Sequence, residues 1–180
     1  MWTEGDVGLD TERFSLRPFT RSDAGGLLAH YRDAQVLEFI DVEPLATLAE
    51  AQAMVARSND ERAEGLGVRW GIRAHDGGRL IGTVGLDRLE HRTGRRGDLT
   101  FDLAVTWWGQ GVLEEALPAV LAFGFESLGL RRIQALVTVS DAPSVRLLEQ
   151  LAFEPEGRLR DHAFRAGRFW DQLLYGRLSS

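Results

Sequence analysis

The sequence predicts an α/β fold: one mixed, mostly antiparallel central sheet flanked by helices on both faces, a three-layer sandwich. Three observations predict it. Helical patterns come first, over residues 23–59, and a meander of alternating strands follows over residues 69–105. Strand and helix patterns then alternate until a closing hairpin ends the chain.

Taken in order, Arg13-Phe14-Ser15-Leu16-Arg17 alternates polar and apolar residues and stops at Pro18, as a strand does. Asp23 to Tyr31 predicts a helix with Ser22 as its cap. Thr47-Leu48-Ala49-Glu50 has the spacing of a capping box and opens a second helix to about Asn59, before Gly65 and Gly67 end the helical half. Arg69–Ala74 and Arg79–Leu86 flank His75-Asp76-Gly77-Gly78 and read as a hairpin. From Asp98 to Val105, Leu99, Phe101 and Leu103 alternate with Asp98, Thr100 and Asp102, which predicts a strand with one apolar face.

A helix is expected from about Gln110 to Ser127, with Leu113, Leu117, Val120, Leu121 and Phe125 on its apolar face, a bend at Pro118 and a stop at Gly129. Ile133–Val139 reads as a buried strand, and Pro143–Leu151 as a helix capped by Ser140 or Asp141. Strands near Phe164 and over Phe169–Leu178, joined through Gly167, complete the sheet.

The 180 residues suit a single domain spanning 1–180, with residues 1–10 a loose N-terminal segment. A net charge of -6 argues against nucleic acid, whose phosphates need a clustered basic surface. The basic run His91-Arg92-Thr93-Gly94-Arg95-Arg96-Gly97 carries turn formers and reads as a solvated loop. No segment has the length of a membrane span, and the acidic start lacks the order of a secretion leader. The absence of cysteine excludes disulfides, thiolate metal sites and a cysteine nucleophile, and fits a cytoplasmic enzyme. His30, His75, His91 and His162 are scattered, so no metal site is expected. For His162, Trp170, Trp70 and Phe39, ordinary packing is expected ahead of substrate contact.

The most informative stretch is Trp107-Trp108-Gly109-Gln110-Gly111-Val112-Leu113, a turn from strand into helix. Two glycines at a helix mouth expose backbone N–H groups and admit a bulky anion. A dinucleotide site would want a third glycine, and a nucleoside-triphosphate loop a lysine followed by serine or threonine; neither is present. A tight structural connection stays open, with Trp107 and Trp108 packed in the core.

Other motifs accompany the turn in a fixed order. Leu16-Arg17-Pro18 is followed by Asp23; Asp141-Ala142-Pro143-Ser144 leads to Leu151-Ala152-Phe153; Gly157 precedes Arg160-Asp161 and Gly167-Arg168-Phe169-Trp170-Asp171. Together with the turn, these resemble the GNAT acetyltransferase superfamily, and within it the RimJ/RimL-like branch that acetylates protein N-termini and other amines. The resemblance spans about residues 11–178. It departs at Trp108, where Arg or Gln is common, at Leu113 for Gly or Ala, at Asp141 for Asn and at Ala152 for Gly. Leu148 stands where many relatives have a tyrosine acid, which excludes that acid here.

The resemblance implies acetyl-CoA as cofactor, with its pyrophosphate on Trp108, Gly109, Gln110, Gly111, Val112 and Leu113. It also implies that the backbone of Leu103, Ala104 and Val105 receives the thioester and pantetheine arm, and that Asp141 and Ser144 contact the cofactor. Catalysis would be attack of a neutral amine on the thioester in a ternary complex, since no cysteine can carry the acyl group. Asp98 aligns with an acidic position that serves relatives as base or water anchor, and Asp102 lies on the same strand face as a second candidate or as a charge for the incoming ammonium. Ser144 matches a serine that meets the leaving thiolate by hydrogen bonding. The partner is an amine substrate, either a peptide N-terminus or a small amine, and a homodimer is compatible with the branch. Two alternatives stay open: a non-catalytic acyl-CoA-binding or sensing module, and a partner-binding domain with a purely structural turn.

Overall fold

Val7 is the first residue described in the computed structural model, which covers residues 7–76 and 78–179. Residues 1–6 of the expected loose end, and Gly77 of the expected hairpin turn, lie outside the described residues.

The elements are β1 (Leu9–Asp10), β2 (Phe14–Pro18), α1 (Ala24–His30), α2 (Leu48–Glu64), β3 (Val68–Ala74), β4 (Leu80–Glu90), β5 (Arg96–Leu103), α3 (Val112–Ala122), β6 (Arg132–Thr138), α4 (Ala142–Gln150), β7 (Glu154–Arg165) and β8 (Arg168–Leu178). The strands form one sheet of order β1-β2-β3-β4-β5-β6-β8-β7. Every neighbouring pair is antiparallel except β5 and β6, which run parallel and pair only from Arg96↔Arg132 to Asp98↔Gln134. Beyond Asp98 these two strands part, and the sheet opens in its middle.

The predicted alternation along β5 assigns its faces. Leu99 and Leu103 join the main core with Val112, Leu117 and Val120 of α3 and Leu147 and Leu148 of α4. Asp102 points the other way, to His30 and Tyr31 at the end of α1. On that side Leu27, Tyr31, Ala51 and Val55 form a second cluster with Phe19. Helices therefore cover both faces, as the sequence predicts.

Local differences from expectation have identifiable causes. The loose end is corrected for residues 7–10: Leu9 and Asp10 pair with Leu16 and Ser15, and the fully buried Val7 offers its carbonyl to the Trp70 indole at 2.5 Å. A buried indole N–H needs an acceptor, and this segment supplies it. Ser22 does not cap α1; a 3₁₀ turn over Arg21–Asp23 precedes the helix, and the Asp23 carboxylate accepts the Thr20 amide at 2.7 Å. The capping box at Thr47 and Glu50 is present, but α2 runs five residues past Asn59 to Glu64 and stops at left-handed Gly65. Asp141, rather than Ser140, caps α4 by accepting the Ser144 amide at 3.1 Å. Helix α3 continues through Pro118 and widens into a π turn over Phe123–Ser127. The basic run is a loop only up to Arg95, and its backbone is gathered by Glu90, whose pKa is held at about 2 by the amides of Thr93, Gly94 and Arg92.

Candidate active site

The opening between β5 and β6 sets the site. In an antiparallel ladder amides alternate in direction. The Ala104 amide is bonded to the Ile81 carbonyl at 2.8 Å, so the Leu103 amide faces the open side. Of the backbone groups expected to meet the thioester arm, Ala104 is therefore withdrawn, because β4 already uses its donor. Val105 opens the 3₁₀ turn Val105–Trp107 that leads to the glycines.

Gly109 and Gly111 have φ of 69° and 71°, left-handed values that glycine reaches without steric cost. A Cβ at Gly109 would meet nothing within 4 Å, so the turn presents bare backbone at the mouth of α3. These features fit a bulky anion such as the pyrophosphate of coenzyme A. Trp107 packs edge-on to Phe14 with ring centroids 6.1 Å apart, whereas Trp108 is 44% exposed. The expectation of core packing is corrected for Trp108, whose indole instead donates to the Leu103 carbonyl at 2.8 Å and braces the turn against the end of β5.

Two cavities meet in the opening. One, of about 360 Å³, has a largely apolar lining that includes Leu103, Trp107, Trp108, Gly109, Gly111, Val112 and Leu113. The other, of about 220 Å³, is lined by Asp41, Arg69, Asp87, Arg88, Asp98 and Gln172 among others. Six residues border both: Phe39, Ile40, Phe101, Asp102, Asp141 and Ser144. Phe39 thus lies at the junction, against the expectation of plain packing, while Trp70 is fully buried core.

The three predicted catalytic side chains occupy different settings. Asp102 keeps 7% of its side-chain surface and accepts four hydrogen bonds. These come from His30 Nε2 at 2.6 Å, Tyr31 Oη at 2.9 Å, Thr83 Oγ1 at 2.8 Å and the Thr83 amide at 3.1 Å. Burial pushes its carboxyl up, but the His30 bond and charge, then Thr83 and Tyr31, hold it below the ordinary value. The same burial and the Asp102 charge push the Tyr31 hydroxyl up. With its lone pairs taken, Asp102 is a fixed negative charge and a poor proton acceptor, which counts against its use as a base.

Asp98 lies four residues back along β5, about 13 Å from Asp102, and borders only the acidic cavity. Its Oδ1 accepts Gln134 Nε2 at 2.9 Å, and its Oδ2 pairs with the 76%-exposed Arg88 at 3.2 Å. Such a solvated pair is weak and displaceable. Ser144 sits in the first turn of α4, and among the described residues its hydroxyl has no protein partner; its amide carries the capping bond to Asp141. Asp141 and Ser144 are thus brought to the junction together.

Residues 13–154 match the family model of the acetyltransferase (GNAT) domain. The chain belongs to the GNAT acetyltransferases. It is 34% identical to an uncharacterized N-acetyltransferase, p20, of Bacillus licheniformis, over 94% of this chain and 95% of that one. It is 25% identical to the ribosomal protein uS5-alanine N-acetyltransferase of Escherichia coli, over 93% of this chain and 89% of that one. Mycobacterium smegmatis RimJ, solved in complex with CoA-disulfide, superposes with a TM-score of 0.84 at 21% identity, over 92% of this chain and 82% of that one. This chain is an acetyl-CoA-dependent N-acetyltransferase, and its likeness to the RimJ/RimL group extends over nearly its whole length.

Several groups of this GNAT site escape sequence reasoning. Arg69 forks onto Asp87 at 3.1 and 2.7 Å and reaches Thr100 at 3.2 Å. Asp41 accepts Arg165 at 3.0 Å and Gln172 at 2.7 Å, and Gln172 meets His162 Nδ1 at 2.7 Å. These pairs span 10 to 131 positions of sequence, and no local spacing connects them. No helix among the described residues is long and apolar enough to cross a membrane, and no cluster there could hold a metal ion.

Proposed function

We propose that this GNAT enzyme acetylates a primary amine by direct attack in a ternary complex, with a peptide N-terminus or a carboxylate-free small amine as acceptor. The reading rests on one observation: an apolar cavity behind the glycine turn and an acidic cavity beyond it share a junction at Ser144, Asp102 and Phe39. Acetyl-CoA supplies the activated acetyl group as a thioester. The turn from Trp108 to Leu113 and the Leu103 amide hold that cofactor on one side, and the acceptor enters from the other.

The acidic cavity selects the acceptor by charge. It is bordered by five carboxylates, Asp41, Asp87, Asp98, Asp102 and Asp141, against two guanidiniums, Arg69 and Arg88. Both guanidiniums are already paired, with Asp87 and Asp98. An ammonium is attracted there, whereas a carboxylate next to the amine finds no free cation. Asp102 holds the negative charge at the junction, and Asp98 takes the departing proton through water in the acidic cavity. Ser144 donates a hydrogen bond at the position of the sulfur, which needs no change in the hydroxyl's own protonation. An α-amine, with a pKa of about 8, asks less of such a distant base than a lysine side chain near 10.4. The uS5-alanine enzyme acts, by its name, on a ribosomal protein alanine, which supports a peptide acceptor in the cytoplasm.

Thiol release from acetyl-CoA should be measured against short peptides with different first residues, polyamines, aminoglycosides and free amino acids. Peptides or carboxylate-free amines are expected to turn over and free amino acids to lag well behind. Turnover confined to free amino acids would reverse the acceptor reading, and clear cofactor binding with no turnover on any amine would favour a sensor.

A further inference from the structure

Arg13 lies just ahead of β2, far in sequence from the glycine turn, yet its side chain is wrapped around that turn. Nη1 donates to the Gln110 carbonyl at 3.1 Å and Nη2 to the Gly111 carbonyl at 3.2 Å. Nε donates to Glu115 Oε2 at 2.6 Å, and the Arg13 amide to Glu115 Oε1 at 2.8 Å. Thr11 Oγ1 adds a third bond to Glu115, at 2.6 Å. The guanidinium lies 4.8 Å from the ring centre of Phe14, which packs against Trp107.

We infer that Arg13 is a positioning residue for cofactor binding, aiming the amides of Gly111 and Val112 at the pyrophosphate and cancelling the charge of Glu115 beneath it. The inference rests on reading the turn as the pyrophosphate seat. Two arguments carry it. In a trans peptide the carbonyl and the following N–H point in opposite directions. Arg13 draws the Gln110 carbonyl to one side and reinforces the Gly111 carbonyl, which the Glu115 amide also holds at 3.2 Å, so the N–H groups of Gly111 and Val112 face the other side, where an anion can accept from them. Glu115 lies in the first turn of α3, where a carboxylate competes for the positive end of the helix and repels a bound anion. Arg13 and Thr11 engage both of its oxygens and turn it toward β2. Lysine is no substitute, because a single ammonium lacks the fork that reaches two carbonyls and a carboxylate together.

The experiment compares wild type with Arg13→Ala and Arg13→Lys, using CoA binding by calorimetry and turnover of acetyl-CoA and of S-acetyl-pantetheine, which lacks the pyrophosphate. Arg13→Ala should weaken CoA binding about tenfold, with most of the kinetic loss in KM for acetyl-CoA and little change in KM for S-acetyl-pantetheine. Should Arg13→Ala not fold, Arg13→Lys carries the test, with a several-fold loss expected. Wild-type affinity in the variants, or an equal loss for both thioesters, overturns the inference. In a Glu115→Gln background Arg13→Ala should still weaken CoA binding; no further loss there overturns the carbonyl clamp. A wild-type protein that does not bind CoA overturns the pyrophosphate reading, and the inference with it.

Discussion

In the proposed mechanism Ser144 and Asp98 act on opposite sides of one chemical event, Ser144 at the leaving sulfur and Asp98 at the amine proton. Ser144→Ala removes a hydrogen bond made mainly to developing negative charge, so kcat should fall about 10- to 100-fold. Acetyl-CoA affinity should stay within about twofold, and an unchanged kcat in steady-state assays would take Ser144 out of the mechanism. Asp98→Asn should lower the rate about tenfold or more, since an amide cannot take the proton. A rate matching wild type would assign that proton to solvent. Asp102 reads from the sequence as a second candidate base or as a charge for the incoming ammonium. Its partners His30, Tyr31 and Thr83 stand 72, 71 and 19 positions away, and only folding turns it from a candidate base into a fixed charge.

At the scale of elements, caps and stops were readable where the signal is local. Thr47 with Glu50, Asp141 and Gly129 act over a few residues, and the structure uses all three as expected. The glycine turn belongs to the same class. Gly111→Val forces a branched residue into a left-handed backbone at the mouth of α3, a strain of roughly 1–3 kcal/mol. CoA affinity should drop about tenfold or more, and calorimetry showing undiminished binding would defeat the phosphate cradle. What the elements could not announce is the short pairing of β5 with β6. β5 alternates without a break to Leu103 and β6 runs unbroken to Thr138, yet they pair only as far as Asp98 and Gln134. The separation depends on where β8 holds β6 and where β4 holds β5.

The whole molecule is tied together around Asp102, which links β5 to α1 and β4. Replacing it by asparagine keeps one acceptor oxygen but puts an amide donor where the other oxygen accepted, and removes the buried charge that His30, Tyr31 and Thr83 surround, at a cost of roughly 3 kcal/mol. For a chain of this size the melting temperature should fall about 10 °C, measurable by calorimetry. The same carboxyl sets part of the acid limit. Its folded pKa is held below its unfolded value, so its contribution is complete above about pH 3.9 and is lost as pH falls through the lower folded value. Urea titrations at stepped acid pH should show wild-type stability falling in that window, and Asp102→Asn losing that part of the slope. A variant with the full wild-type slope would assign the acid limit to other carboxylates.

The sequence by itself determined the fold class, the order of the elements, the family resemblance and the two glycines that free the backbone of the turn at Trp107 to Leu113. Each of these follows from residues close together in the chain, through periodicity, capping and backbone freedom. Only the tertiary structure decided that Asp102 is spent on His30, Tyr31 and Thr83, that the Ala104 amide belongs to β4, that Trp108 stands exposed, and that Arg13 reaches the glycine turn. Those outcomes depend on which donor finds which acceptor once the sheet closes and water is excluded. Pairings across such long stretches of chain have no local signature.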